Sequence, residues 1–386
     1  MRSFSGRACA LTLVLLGSCS CGSVALGDIF APPPLPSPAV PEPEPAAADR
    51  SSATSSTWST LNSDCNCGKS ECPTCSKTCC EPCCTSCCDN PCATWTFSAG
   101  ALYMTRSNPD DTVLFFNTNT NTGETLNASQ FDFGWQPGVE FGVTRHRLFW
   151  NSDLELRAWS IDGWTAGASQ SFSGPTTGIA TDPPFQLVGP RDVVSSYASR
   201  IGSLELNLKH RWGMLPRWKW IAGFRMMELD EHLDTLFSDP NETLGDIAYN
   251  VDTRNRLYGF QLGGEFDVVS GCNWCVRGFL KGGIYGNEAN NTSTIDCVDN
   301  PLCAFRDRPL GENKSRTAFV GETGISVKYC ICDNLAVRAD YRAIWVGGVA
   351  LASEQISATS SLFSNGASTS GDVFYHGGFL GMEYSF

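Results

Sequence analysis

Long apolar runs are missing from this 386-residue chain. None approaches the roughly 18 residues that a membrane-spanning helix needs, and mean hydropathy is −0.14, so a helical membrane protein is excluded. Histidine is scarce, with four in the whole chain. No His-rich metal motif and no glycine-rich phosphate loop occurs, so neither a metal nor a cofactor is expected. Positive charge is in deficit: 27 Lys and Arg face 40 Asp and Glu, a net charge of −13. That balance argues against nucleic acid as a partner and fits long, solvated, carboxylate-rich loops.

What is abundant points elsewhere. The chain has 37 Gly, 22 Phe and 11 Trp. Ordinary mean hydropathy with many aromatics is the signature of a transmembrane β-barrel, whose alternation is hidden in the average.

The N-terminus reads as an export signal over residues 1–27. Arg2 and Arg7 supply the positive end, and Leu11 to Leu16 form a short apolar core. Cleavage is expected after Ala25-Leu26-Gly27. Leu16-Gly17-Ser18-Cys19 also resembles a bacterial lipobox, which would put a lipid on Cys19. Residues 28–64 follow as a Pro/Ser-rich, disordered linker. Its stretch 31–45 (APPPLPSPAVPEPEP) favours polyproline II and would reach about 45 Å.

Residues 65–92 carry eleven of the twenty cysteines, in a repeated CC-x-x-CC. Export places them in an oxidising compartment where disulfides persist. The segment has almost no large apolar residues, so cross-links must replace a core. Adjacent cysteines are poorly placed to bond each other, and the odd count leaves at least one for an intermolecular or mixed bond. Disulfide-linked envelope partners are therefore candidates. The competing reading is an all-Cys site for Zn or Cu(I).

From residue 94 the period becomes two, and residues 94–386 read as an all-β domain. It is a transmembrane antiparallel up-and-down barrel of about ten strands, placed near 94–105, 131–143, 149–160, 194–209, 217–229, 251–267, 274–286, 316–329, 335–348 and 373–386. Connections alternate long and short, as in outer-membrane barrels with short periplasmic turns and long outer loops. Leu204, Leu206 and Leu208 oppose Glu205, Asn207 and Lys209; Leu335, Val337, Ala339 and Tyr341 oppose Arg338, Asp340 and Arg342. Charge is tolerable in a lumen and costly against lipid. The expected lumen set is Glu155, Arg157, Glu205, Lys209, Lys219, Arg225, Glu265, Arg277, Lys281, Glu322, Lys328, Arg338, Asp340, Arg342 and Glu383. Ten strands lie near the width that side chains can fill, so mixed charges there favour an obstructed bore.

In the last strand Phe374, His376, Gly378, Leu380, Met382, Tyr384 and Phe386 share the lipid face. Tyr384 and Phe386 resemble the terminal signature read by the barrel assembly machinery. Together with the first strand, Trp95-Thr96-Phe97-Ser98-Ala99-Gly100-Ala101-Leu102-Tyr103, and the closing run Tyr375 to Phe386, the pattern resembles the BBP-type β-barrel porin family of planctomycetes. The resemblance covers roughly residues 65–386. It implies outer-membrane residence, contact with outer-membrane lipid and a porin-like label, and carries over no catalytic or binding residue.

Three functional readings follow. The first is a porin-like or structural barrel with a narrow charged lumen. The second is an envelope anchor acting through the Cys-rich segment, with the leader in the periplasm. The third is a rim protease, on the strength of Asp230-Glu231-His232 at the outer end of the fifth strand with Asp110 and Asp111 in the first loop. A charged loop mouth is usually only solvated, so the protein is expected not to be an enzyme. Cys297 and Cys303 are expected to staple one outer loop. Cys272 and Cys275, and Cys330 and Cys332, flank two periplasmic turns, with their pairing open.

Overall fold

The computed structural model describes residues 93–118, 123–150, 152–181, 184–211, 217–241, 245–271, 273–298, 310–332, 334–358 and 368–386. The expected signal peptide, linker and Cys-rich segment, with Cys19, lie outside these residues, as do Cys272 and Cys303.

Among the described residues fourteen strands form: β1 (Trp95–Arg106), β2 (Val113–Asn117), β3 (Thr125–Asn127), β4 (Gln136–Phe149), β5 (Ser152–Phe172), β6 (Thr176–Ile179), β7 (Phe185–Val188), β8 (Arg191–Arg211), β9 (Trp218–Ser238), β10 (Ile247–Ser270), β11 (Trp274–Cys297), β12 (Leu310–Cys332), β13 (Leu335–Val349) and β14 (Gly371–Ser385). A short α-helix, α1, spans Ala352–Ala358. Ten strands close a barrel in the order β1-β14-β13-β12-β11-β10-β9-β8-β5-β4, and β4 pairs back onto β1. Every pairing in the ring is antiparallel, so the expected up-and-down barrel of ten strands is the fold. β2, β3, β6 and β7 make a separate small sheet, ordered β3-β2-β6-β7.

The outer wall carries an apolar band. Phe260, Leu262, Leu280, Ile284 and Leu380 are each at least 60% exposed. In water, burying such side chains would be favoured by about 1.5–3 kcal/mol each, so the band reads as a lipid contact. Aromatics border it at the end where β1 begins and β14 finishes, hereafter the turn end. Trp95, Phe97 and Phe386 stack there, and Phe386 exchanges backbone hydrogen bonds with Trp95.

Two expectations need correction. Several strands run well past their expected ends: β9 continues to Ser238 and β10 starts at Ile247, against expected limits of 229 and 251. The reason is an inversion of polarity. Beyond the apolar band the outer face turns charged, through Arg200, Asp230 and Arg254, while the inner face turns apolar, through Tyr197, Ile201, Leu229, Leu233, Phe237 and Val251. Alternation persists with its sense reversed. The second correction concerns the strand expected over 131–143, which begins at Gln136. Phe131 and Phe133 instead fold inward, edge-on to Tyr197 at 5.3 Å between ring centroids.

These inward rings belong to a cap that fills the loop end. Phe115 of the small sheet meets Phe237 edge-on at 5.0 Å. Ala350, just before α1, is clasped by Asn255: its N–H donates to Oδ1 at 2.7 Å, and its carbonyl accepts from Nδ2 at 2.8 Å. A bulge in β5 between Ile161 and Trp164 contributes too. Gly163 there takes φ +112°, which a side chain would resist. The extra residue turns Trp164 inward, where its indole N–H donates to the Met104 carbonyl at 3.3 Å.

Candidate functional site

Below the cap, the barrel interior is an ionic lattice built by inward positions of nine strands. Its centre is a buried cluster of two carboxylates and three cations. Glu322 of β12 meets Arg225 at 2.8 Å, Lys281 at 3.0 Å and Arg157 at 3.3 Å. Glu205 of β8 meets Lys281 at 2.7 Å and Arg225 at 3.6 Å. Gln261 and Asn207 both donate amide hydrogens to Glu205 Oε2.

These contacts cross the bore. Arg157 lies on β5 and Glu322 on β12, with four strands between them either way round the ring. Charges this buried are tolerable only because each is paired and hydrogen-bonded.

A second hub lies on β4. Glu140 accepts from Arg338 at 2.6 Å, Arg342 at 2.6 Å and Arg157 at 2.9 Å. Arg338 reaches on to Asp340 and Glu383, and Lys328 also holds Glu383 at 2.9 Å. Towards the turn end, Lys209 bridges Glu155 and Glu265 at 2.6 Å each, while Arg277 holds Asp267 at 2.9 Å. Every charged residue expected in the lumen thus takes part in an interior ion pair. Lys219 lies 3.9 Å from Asp153.

Glu140, Asp153 and Asp267 are hub or partner residues that the expected set omits. Glu140 could have been found: it sits at the inward parity between Val139 and Phe141, both exposed.

The lattice floors a cavity of about 660 Å³ that opens at the turn end. Thr96, His146, Lys209, Lys219, Arg277 and Lys328 are among its lining residues. Its outer margin carries the exposed Arg147, Arg211 and Arg217.

Asp230, Glu231 and His232 do not converge. Alternation on β9 sends Glu231 inward, where Arg106 and Tyr197 hold it. Asp230 and His232 face outward. They stand within the extended strand, not at a loop junction. His232 lies between two carboxylates, its Nε2 2.8 Å from Asp234 and its Nδ1 on Asp252. Hydrogen bonds to Asp234 and then Asp252 push its pKa up to about 10. An imidazole already protonated at neutral pH cannot serve there as a general base. Asp111 of the first loop is hydrogen-bonded to Ser129 and Asn127, and those bonds hold its pKa below the usual carboxylate range.

Of the barrel cysteines, Cys275 is buried, and Cys330 and Cys332 flank an irregularity at the end of β12. With Cys272 and Cys303 outside the described residues, the expected staple between Cys297 and Cys303 is not described.

Comparison with known proteins gives one family. A family model described as "Putative beta barrel porin-7 (BBP7)" matches residues 107–372. No curated protein matches the chain. Among solved structures, the outer membrane protease OmpT from Escherichia coli is similar at TM-score 0.42 and 10% identity, over 76% of this chain and 96% of that one. The translocator domain of autotransporter NalP from Neisseria meningitidis aligns at TM-score 0.36 and 9% identity, covering 76% and 89%. The P. putida toluene transporter TodX aligns at TM-score 0.24 and 8% identity, covering 76% and 90%. None of these three likenesses bears on what the chain does.

Proposed function

Because the chain belongs to the beta barrel porin-7 (BBP7) family, and is therefore an outer-membrane β-barrel protein, we propose that it is a barrel with its bore shut, serving a structural rather than a diffusive role. The observation that carries this reading is the Arg157–Glu322 contact at 3.3 Å between strands on opposite sides of the ring. Arg225, Lys281 and Glu205 pack into the same layer. A pore for polar solutes needs a continuous hydrated path. Here the side chains that would line it are bonded to one another, and the loop end above them is filled by apolar packing.

Purified full-length protein in planar bilayers tests this. No stepwise conductance is expected; regular steps from the wild-type protein would overturn the closed reading.

The placement of the N-terminal side supports an anchoring role within this reading. Thr94 and Trp95 donate backbone hydrogen bonds to the Phe386 carbonyl at 2.6 and 2.9 Å, so the leader with its eleven cysteines joins the barrel at the turn end. With the turn end towards the periplasm, the barrel would hold that segment beside envelope partners, to which it would bond by disulfides. Non-reducing gels should then show species larger than the monomer that collapse on reduction. An unchanged monomer band would remove the cross-linking half of the proposal.

A further inference from the structure

We propose that Thr253, Asn291, Ser293 and Glu312, on the inner face of the barrel at its loop end, form a site for a hard divalent cation, with Ca²⁺ as the best fit. The first observation is register. Thr253 of β10 stands opposite Asn291 of β11, and Asn291 stands opposite Glu312 of β12. Side chains opposed in this way have Cβ atoms about 4.5–5.5 Å apart. Ser293 lies two residues along β11, on the same face as Asn291. One carboxylate, one amide and two hydroxyls thus occupy adjacent positions on three neighbouring strands.

The second observation is that their oxygens go unanswered. Thr253, Asn291 and Ser293 are 2%, 4% and 6% exposed. Among the described residues no hydrogen bond reaches Thr253 Oγ1, Asn291 Oδ1, Ser293 Oγ or Glu312 Oε2, and all four atoms are buried. The Asn291 amide does not donate to Glu312 Oε2, its neighbour across the strands. Lys314, two residues along β12, is exposed. Elsewhere on the inner face such pairs do close. Ser195 and Thr235, directly opposite on β8 and β9, bond at 3.0 Å. Buried polar atoms without partners are rare in native folds, and an ion or ordered water is a usual reason for them.

The third observation is the chemistry of the set. Its donors are three neutral oxygens and one carboxylate, with no His or Cys among them. Transition metals favour imidazole and thiolate. Ca²⁺ takes 6–8 oxygens at about 2.3–2.6 Å in a flexible shell that water can complete, whereas Mg²⁺ demands near-octahedral geometry and dehydrates reluctantly. A cation among these four oxygens would answer all of them and compensate the carboxylate charge. It would also tie β10, β11 and β12 together where the cap closes the barrel. No local motif announces the site, because its ligands are spread over three strands. With a single carboxylate the affinity should be weak, on the order of 10⁻⁴–10⁻³ M.

The test is thermal unfolding of the full-length protein in a nonionic detergent, in Ca²⁺ against EDTA at matched ionic strength. Ca²⁺ should raise the midpoint, with half-saturation on the order of 10⁻⁴–10⁻³ M. Mg²⁺ at the same concentration should raise it less. Glu312→Gln should abolish the rise. Glu288→Gln removes the same charge from the exposed outer face of β11 and should leave the rise unchanged. Asn291→Asp supplies a second carboxylate and should lower the half-saturating Ca²⁺ about tenfold, which keeps a readout if Glu312→Gln fails to fold. A wild-type midpoint indifferent to Ca²⁺ would overturn the proposal and leave the oxygens to water. So would a rise retained in Glu312→Gln, lost in Glu288→Gln, or matched by Mg²⁺, and so would an Asn291→Asp protein with unchanged half-saturation.

Discussion

Arg106 at the end of β1 and Glu231 within β9 meet at 2.5 Å, although three strands separate them the shorter way round the ring. Both side chains are buried. Glu231 also accepts from Tyr197 Oη at 2.5 Å, Ser199 Oγ at 3.2 Å and the Ala352 N–H at 3.0 Å. Arg106 lies over the Phe133 ring, 4.4 Å from its centroid. The pair thereby joins two walls of the barrel to α1 and to the aromatic cap.

Removing one partner leaves a buried charge without its counterion. Arg106→Met or Glu231→Leu alone should each cost about 3–5 kcal/mol, while the double change Arg106→Met/Glu231→Leu should recover most of that loss. Denaturant unfolding of the four proteins in one detergent gives the coupling directly. Losses that simply add would show that the two residues do not act as a pair.

His232 should remain protonated where an ordinary histidine is neutral. Its pKa is raised to about 10 by Asp234 and Asp252, so the folded state binds the proton more tightly than the unfolded chain. The stability this contributes is complete below the unfolded value near 6.5. It fades as pH climbs through about 10. With only four histidines in the chain, ring-labelled protein gives a resolvable set of NMR signals. One of them should still report an imidazolium at pH 8.5, and His232→Gln should delete it. Four neutral rings at that pH would contradict the clamp.

The inward charges were legible because each sits at one parity of a strand whose other parity is apolar. Lys281 between Leu280 and Gly282, and Arg338 between Val337 and Ala339, are of this kind. Glu231 was not legible. It lies where the inner face has become apolar and the outer face charged, so a reading that expects polar side chains inside places Asp230, Glu231 and His232 together at a rim. Local sequence also gives no sign that Phe131 and Phe133 leave the wall to pack on Tyr197. Their partners lie more than sixty positions away along the chain, and alternation reports only which face a residue takes. The bulge at Gly163 is a middle case: a glycine within an otherwise regular strand marks a local break, without saying that Trp164 turns inward.

The cap should tighten as pH falls. Glu354 of α1 is half-buried, and burial, opposed by a hydrogen bond from Ser368, pushes its pKa up to about 7. Asp110, Glu231 and Asp372 raise it further by like charge. A carboxyl with a raised folded value favours the folded state fully below the unfolded value near 4.5 and loses that contribution as pH rises through about 7. Thermal unfolding of the wild type should therefore shift downward between pH 5 and pH 8.5. Glu354→Gln should flatten the shift and unfold later than the wild type at pH 8.5. Parallel curves for the two proteins would remove Glu354 as the cause.

The boundary of the apolar band can be located by charge. Leu262 on β10 and Leu236 on β9 both face outward, and both are exposed. Leu262 lies among Phe260, Leu280 and Ile284 in the band. Leu236 lies six residues past Asp230, in the stretch where the outer face carries His232 and Asp234. If the band is the lipid contact, Leu262→Arg should cost about 2–4 kcal/mol, the depth-dependent cost of a guanidinium near the bilayer midplane. Leu236→Arg should cost about 0–1 kcal/mol, because its side chain would stand in water or at the interface. Folding measured in lipid vesicles, not detergent, reads the difference, since only a bilayer has a fixed thickness. Equal costs at the two sites would mean that the strands cross the membrane along their whole length, and that the charged girdle of Arg200, Asp230 and Arg254 lies within the hydrocarbon. Three charged side chains at that depth, two of them ion-paired to the third, would be a far costlier arrangement than a barrel wall standing clear of the lipid.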